Sequence, residues 1–339
     1  MAPSGRSSRV RPSEVAADTK RNFIPLINAN YAGTFPPYSR LFVQPTQELS
    51  IPRSLSSLRP PAFVVDRGDP VERAIFCGLK DTETTGSRVR VPFICAANER
   101  RPGGDWETGC SGYEEKLCRR SNLSATLSTP YPGTATSNYP IPSVGGLVSD
   151  SVVVYRGPHD RYEPLAQWFD LPVVSVPPTR WPKLKENGTK YSFSEERAMI
   201  RDKIRGALRI CLHLNYKRVV IGDFGLGNGH RNPPQELAEI WRDVFLFDPE
   251  LRGQFVYVIF AFEDPNQSTA KLILDEMDKK DGKSGSRGKS RSSGSSSSSR
   301  SHSNCPSDMA IFDYVFSGPQ IERALSKPDP RYKLDMITS

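Results

Sequence analysis

The chain has no run of about 18 apolar residues, which excludes a membrane-spanning helix. No apolar stretch follows the basic residues of MAPSGRSSRVRPSEV, so a secretory signal is not expected. The chain is therefore read as intracellular, in nucleus or cytoplasm. Its six cysteines, at 77, 95, 110, 118, 211 and 305, include no C-x-x-C pair, and it has only four His. Reduced thiols are expected, with no disulfide framework, no metal site and no cofactor. The N-x-S/T sequences at Asn122, Asn187 and Asn266 should accordingly stay unmodified. No G-x-x-x-x-G-K-[ST] occurs, so a P-loop is excluded. Apolar residues are scarce at 37%, against 30 Pro and 25 Gly, which points to long loops around a modest core.

What is present begins with a basic charge in one place. Residues 279–303 hold seven Lys or Arg against one Asp, a net +6 of the chain's +8, leaving +2 for all other residues. The high isoelectric point is thus a property of one segment, which contains no apolar side chain and should be disordered. Any contact with nucleic acid would be confined to that tail.

A strand is expected at 62–65, and short apolar runs bounded by turn residues recur at 91–96, 152–155, 172–176, 219–221 and 255–262, as expected of strands buried on both faces. Helical patterns lie between them. One starts at Ser13, and another starts at Pro70 and reaches Cys77. The clearest spans 194–214, with Ile200, Ile204, Leu208, Cys211 and Leu212 on one stripe and Arg201, Lys203, Arg205 and Arg209 facing out. A further helix begins with Pro233 and Pro234 in its first turn and buries Leu237, Ile240, Trp241 and Val244. Residues 28–61 read as loop. This alternation predicts an α/β protein, a three-layer α/β/α sandwich around a mixed, mostly parallel sheet. The expected organisation is a flexible N-terminus over 1–12, one domain over 13–278, a disordered Ser/Arg/Lys-rich linker over 279–307 and a C-terminal segment over 308–339. The apolar MAIFDYVF of that last segment docks back as an edge strand or stays apart. A monomer is expected.

In an open α/β sheet, ligands bind beyond the carboxyl ends of the strands. Two post-strand loops are glycine-rich and run straight into helices: AANERRPGGDWETGCSGYEEKLCRRS after 91–96, and GDFGLGNGHRNPPQEL after 219–221. Glycine permits close backbone approach and a helix N-terminus adds positive charge, so both loops suit phosphate. Taken alone, each loop reads equally well as a tight structural turn, and paired glutamates in a first helical turn as partners of the helix dipole. Gly225, Gly227 and Gly229 have His230 where a dinucleotide fingerprint needs a third glycine. His159 and His230 lack partners at metal spacing, and Asp66 and Asp69 read as a turn and a helix cap.

The stretch FICAANERRPGGDWETGCSGYEEKLCRRSNL resembles the microbial type of poly(ADP-ribose) glycohydrolase, a macrodomain-like fold. That family's signature is a strand ending in small residues and Asn, then P-G-G-G, then Q-E-E-x-L-x-R-R-S. IGDFGLGNGHRNPP is similar to its G-A-W-G-C-G-x-F-x-N-x-P loop, and the resemblance runs from about Ser13 to Asp264. It implies an ADP-ribose pocket whose diphosphate lies between the loops, and ADP-ribose or ADP-ribosylated protein as partner. It further implies Asn98 at the distal ribose, Gly103, Gly104 and the Asp105 position in the first diphosphate loop, and Gly225, Gly227 and Asn228 in the second. Glu114 then binds the ribose and Glu115 is the catalytic acid of an ADP-ribosyl O-glycosidic hydrolysis. Arg119 and Arg120 match the family and are read as structural.

Four positions depart from the pattern. Asp105 replaces the third glycine, Tyr113 the Gln, Leu226 the Cys, and Gly229 an aromatic. A carboxylate beside a diphosphate costs roughly 2–4 kcal/mol unless it points outward or Arg100 or Arg101 neutralises it. The sequence therefore supports a glycohydrolase and, as the alternative, a catalytically inactive ADP-ribose or nucleotide-binding module.

Overall fold

Each of the six expected strands forms in one sheet, covered on both sides by helices. The computed structural model describes residues 10–51, 59–284 and 305–326. Among these, the strands are β1 (Arg40–Phe42), β2 (Ala62–Arg67), β3 (Phe93–Ala96), β4 (Gly146–Arg156), β5 (Pro164–Val176), β6 (Leu184–Lys185), β7 (Lys190–Tyr191), β8 (Arg218–Ile221) and β9 (Tyr257–Phe262). Seven form a sheet of order β1-β4-β5-β3-β8-β9-β2, and β6 and β7 form a separate ribbon. From β5 to β2 the neighbours are parallel, whereas β1 and β4 add antiparallel pairs at one edge.

The helices are α1 (Pro12–Asp18), α2 (Ile24–Asn30), α3 (Pro45–Glu48), α4 (Pro70–Thr85), α5 (Tyr113–Arg120), α6 (Leu123–Ser128), α7 (Ser194–His213), α8 (Pro234–Phe247), α9 (Thr269–Ser284), α10 (Asp308–Phe316) and α11 (Gly318–Leu325). Successive strand residues alternate between two cores, as the two-residue period requires. Ile94, Val219, Ile221, Val258 and Phe260 pack with α7, α8 and α10. Phe93, Cys95, Val220, Ile259 and Ala261 pack with α4, α5 and α6 on the other face. The result is the expected three-layer α/β/α sandwich with a mixed, mostly parallel sheet.

Several local expectations are revised. The N-terminal helix starts at Pro12 and continues through a π-helical stretch, Thr19–Phe23, into α2. Asp69 caps α4 by accepting from Glu72 N at 2.8 Å, but that helix runs past Cys77 to a left-handed Gly86. Residues 28–61 are not all loop, since they contain the end of α2, β1 and α3. On α7, Lys203 and Arg209 are buried rather than outward. Their long stems cross apolar surface and their heads satisfy loop carbonyls, Pro177 O at 2.9 Å from Lys203 Nζ and Pro45 O at 3.0 Å from Arg209 Nε.

The described C-terminal elements differ most from expectation. α9 runs through the boundary placed at 278. MAIFDYVF is a helix, not an edge strand: capped by Ser307, α10 buries Asp308, Phe312, Val315 and Phe316 at helical spacing. Phe312 and Phe316 meet Phe260 of β9 with ring centroids 5.1 and 4.5 Å apart, and Phe316 also meets Phe63 of β2 at 4.8 Å. Burying three apolar side chains on a sheet face stabilises by several kcal/mol, roughly 1.5–3 for each. The N-terminal residues 1–9 and residues 285–304, which hold most of the basic tail, lie outside the described residues.

Candidate active site

Because β3, β8, β9 and β2 are parallel, the loops that follow them gather at one edge of the sheet. They enclose a cavity of about 960 Å3 lined by Asn98, Gly109–Glu115, Asp223, Leu226–His230 and Glu263–Gln267, with Arg67, Lys116, His159 and Arg180 on its walls.

The first glycine loop follows β3 and ends at α5. Gly103 and Gly104 both have positive φ, +72° and +55°, which a side chain would strain. A Cβ on Gly103 would lie 2.8 Å from both Trp106 and the Cys118 sulfur, so the buried Trp106 is a floor for the loop. A Cβ on Gly104 would come within 2.5 Å of Glu115 Oε1, and one on Gly112 within 2.2 Å of Glu115 Oε2. The Glu115 carboxylate thus occupies a slot that exists only because both flanking residues are glycine. Arg119, also buried, ties the loop from behind through Trp106 O at 2.8 Å and Thr108 O at 3.0 Å. Arg120 pairs with Asp69 at 2.8 Å. Both arginines have the structural part expected of them.

Glu114 is 1% exposed. Its Oε2 accepts the Asn98 amide at 2.7 Å, while its Oε1 has no partner among the described residues. Burial, reinforced by Glu115 and opposed by the backbone amides of Asn98 and Gly103 and by the Arg180 charge, lifts its carboxyl to about 8. It is therefore mostly neutral at pH 7, an O–H donor beside Glu115. Burial lifts Asp223 to about 8 as well, on the far side of the cavity, where Gln267 Nε2 reaches it at 3.1 Å. Burial also works against Glu263, but His159, 2.6 Å away, and Lys116 outweigh it and bring that carboxyl down to about 2. His230 is held near 4 by burial and Arg180, so it is neutral. Arg67 and Arg180 line the cavity and make no salt bridge with any described residue, and the Arg180 charge acts on Glu114 through space.

The second glycine loop follows β8. Gly225, at φ +82°, accepts from Asn232 and packs near Pro178 and Leu237, a turn position behind the cavity. Gly227, at φ +72°, lines the cavity but turns its amide inward, to Thr269 Oγ1 at 2.7 Å. Asn228 and Gly229 complete that wall, and their amides find no acceptor among the described residues.

The structure therefore brings Asn98, Glu114, Glu115, Gly227 and Asn228 together around one space. Gly103, Gly104 and Gly225 stand behind it. Asp105 is on the outer side of its loop, exposed and paired with Arg101. Sequence reasoning did not single out Arg180, Asp223, Lys116, Glu263 or Gln267, nor assign His159 and His230 to the site. Arg180 carried a weak signal, being four residues beyond the apolar end of β5. Among the described residues, no group of three or more His, Cys, Asp or Glu is placed to hold a metal.

The family described as microbial-type PARG, catalytic domain, matches residues 73–157, the span that bears Asn98, the first glycine loop and both glutamates. The fold is that of bacterial poly(ADP-ribose) glycohydrolase. The enzyme from Thermomonospora curvata superimposes with a TM-score of 0.54 at 18% identity, over 78% of this chain and 98% of that one. The same enzyme bound to the inhibitor ADP-HPD gives a TM-score of 0.52 at 17% identity over the same shares. No curated protein matches at the level of sequence. Among the described residues, no helix is long and apolar enough to cross a membrane.

Proposed function

We propose that the chain is an ADP-ribosyl glycohydrolase that holds ADP-ribose in this cavity and hydrolyses the O-glycosidic bond to its distal ribose. The observation that carries the reading is the slot between Gly104 and Gly112, which places the Glu115 carboxyl group beside the neutral, half-satisfied Glu114. A buried acceptor or donor without a partner is costly, so Glu114 Oε1 is built for a group brought by a ligand. A ribose hydroxyl suits it. The cavity volume fits a ligand of dinucleotide size. Arg180 and the amides of Asn228 and Gly229 supply positive potential for the diphosphate, and the outward Asp105 does not oppose it.

In this mechanism Glu115 acts from its protonated form, giving that proton to the departing ribosyl oxygen as the bond from that oxygen to the anomeric carbon breaks. The anomeric carbon becomes oxocarbenium-like. A water then attacks it and returns a proton to the Glu115 carboxylate, which regenerates the acid. The resemblance of residues 73–157 to a glycohydrolase catalytic domain supports the same assignment.

The test is Glu115→Gln. Turnover of ADP-ribosylated protein should fall by about 10²–10⁴ while calorimetric binding of ADP-ribose survives. Undiminished turnover would remove Glu115 from the mechanism. Wild-type protein that binds ADP-ribose without turning over any ADP-ribosylated substrate would make it the catalytically inactive binding module instead.

A further inference from the structure

The second glycine loop is gripped by a residue that the reaction does not use. Asp308, the first residue of α10, has no exposure to solvent although it carries a carboxylate. Both of its oxygens are engaged. Oδ1 accepts the Thr269 amide at 2.8 Å, and Oδ2 accepts the Thr269 hydroxyl at 2.6 Å and Gln267 Nε2 at 3.0 Å. Its own amide donates to Gln267 O at 2.7 Å, and Ser268 Oγ donates to Pro306 O at 2.8 Å. The two recipients of this grip face the cavity loop. Thr269 Oγ1 accepts the Gly227 amide, and Gln267 Nε2 reaches Asp223.

A threonine hydroxyl has one proton to give. With that proton committed to Asp308, its lone pairs face Gly227, so the carboxylate sets the polarity of the whole relay. The chain of bonds runs from Asp308 through Thr269 to Gly227, and from Asp308 through Gln267 to Asp223. It links a helix at the far end of the sequence to both ends of the 223–227 turn. The aromatic packing of Phe312 and Phe316 on β9 anchors the helix that carries it.

We infer that the C-terminal segment 305–326 braces the ligand cavity from behind, with Asp308 as a positioning residue that holds the second glycine loop in its binding shape through Thr269 and Gln267. The statement about ligand affinity rests on the ADP-ribose reading above. The statement about the loop does not.

The experiment compares Asp308→Asn, Thr269→Val and Thr269→Ser in the full chain. Amide hydrogen exchange over 223–231, measured without ligand, reads the grip directly. Exchange at Gly227 should accelerate by about tenfold or more in Thr269→Val and Asp308→Asn and return close to wild type in Thr269→Ser, since one hydrogen bond is worth about that factor. In turnover assays KM should rise by about tenfold with kcat within about twofold, because Glu115 sits on the other loop. Should Asp308→Asn fail to fold, the Thr269 pair carries the test unaided. Unchanged Gly227 exchange in Thr269→Val overturns the inference. Accelerated exchange in a protein that never binds ADP-ribose upholds the grip and discards the ligand.

Discussion

The two glycine loops resemble each other in sequence, and each leads from a parallel strand into a helix, but they are held in opposite ways. The first is secured by its own neighbourhood. Trp106 lies beneath Gly103, and Arg119, at the end of the helix that the loop starts, binds its carbonyls from behind. The second has a local tie from Asn232 to Gly225 but is also secured from a distance, by Thr269 and Gln267 after β9 and by Asp308 far beyond them. A glycine-rich motif therefore reports where a chain bends closely around a space. What maintains the bend is a separate matter, local in one loop and partly remote in the other.

The difference can be broken from the first-loop side. At Gly112 φ is ordinary, −63°, so alanine is tolerated by the backbone and collides only with the Glu115 carboxylate. Gly112→Ala should lower kcat by about 10²-fold through misplacement of the acid, with an unfolding temperature equal to wild type. Equal activity would show that the slot does not position Glu115.

A smaller effect belongs to the cation between the loops. Arg180→Ala should weaken ADP-ribose binding by about tenfold and flatten its dependence on salt, the mark of a charge-assisted phosphate contact. Calorimetry at two ionic strengths decides it, and affinity that keeps its full salt dependence would reject the assignment.

Stability carries a pH signature of the same site. Glu114 and Asp223 stand near 8 when folded, against 4.5 and 3.8 ordinarily, so the folded protein retains protons that the unfolded chain has released. The contribution is full at low pH and is lost as pH rises through about 8. His230 works in the opposite sense, but only below about 6.5. Between pH 6.5 and 8 the unfolding temperature should therefore fall, and Glu114→Gln should make that fall shallower. A wild-type unfolding temperature that rises across this interval would contradict the buried, proton-holding carboxyls.

The smallest expected effect is at Asp105. Exposed and paired with Arg101, it contributes little in either direction, as exposed ion pairs do. Asp105→Gly should change ADP-ribose affinity by less than about twofold and stability by less than about 0.5 kcal/mol. A large gain in affinity would mean that the carboxylate does face the ligand.

Much of the architecture was legible in the residues because strand burial and helix amphipathicity are written at short periods. The six expected strands formed, and Pro234 and Asp69 began helices where their chemistry suits a first turn or a cap. The charged residues of α7 were misjudged for a physical reason. A lysine or arginine is long enough to cross a buried face and end on a backbone carbonyl, so Lys203 and Arg209 read as surface while lying inside. The aromatic run of α10 was ambiguous because eight apolar-rich residues satisfy either period.

By itself the sequence determined the layered α/β/α plan, the positions of the glycine turns and the adjacency of Glu114 and Glu115. Each of these depends on steric and hydrophobic preferences acting over a few residues. Only the tertiary structure decided that Asp105 faces away, that Arg180 enters the cavity and that Asp308 grips a loop some eighty residues earlier in the chain. Such contacts arise when separate layers close on one another. The free energy that selects them lies in burying a sheet face and pairing its polar groups, and no short stretch of sequence contains both partners.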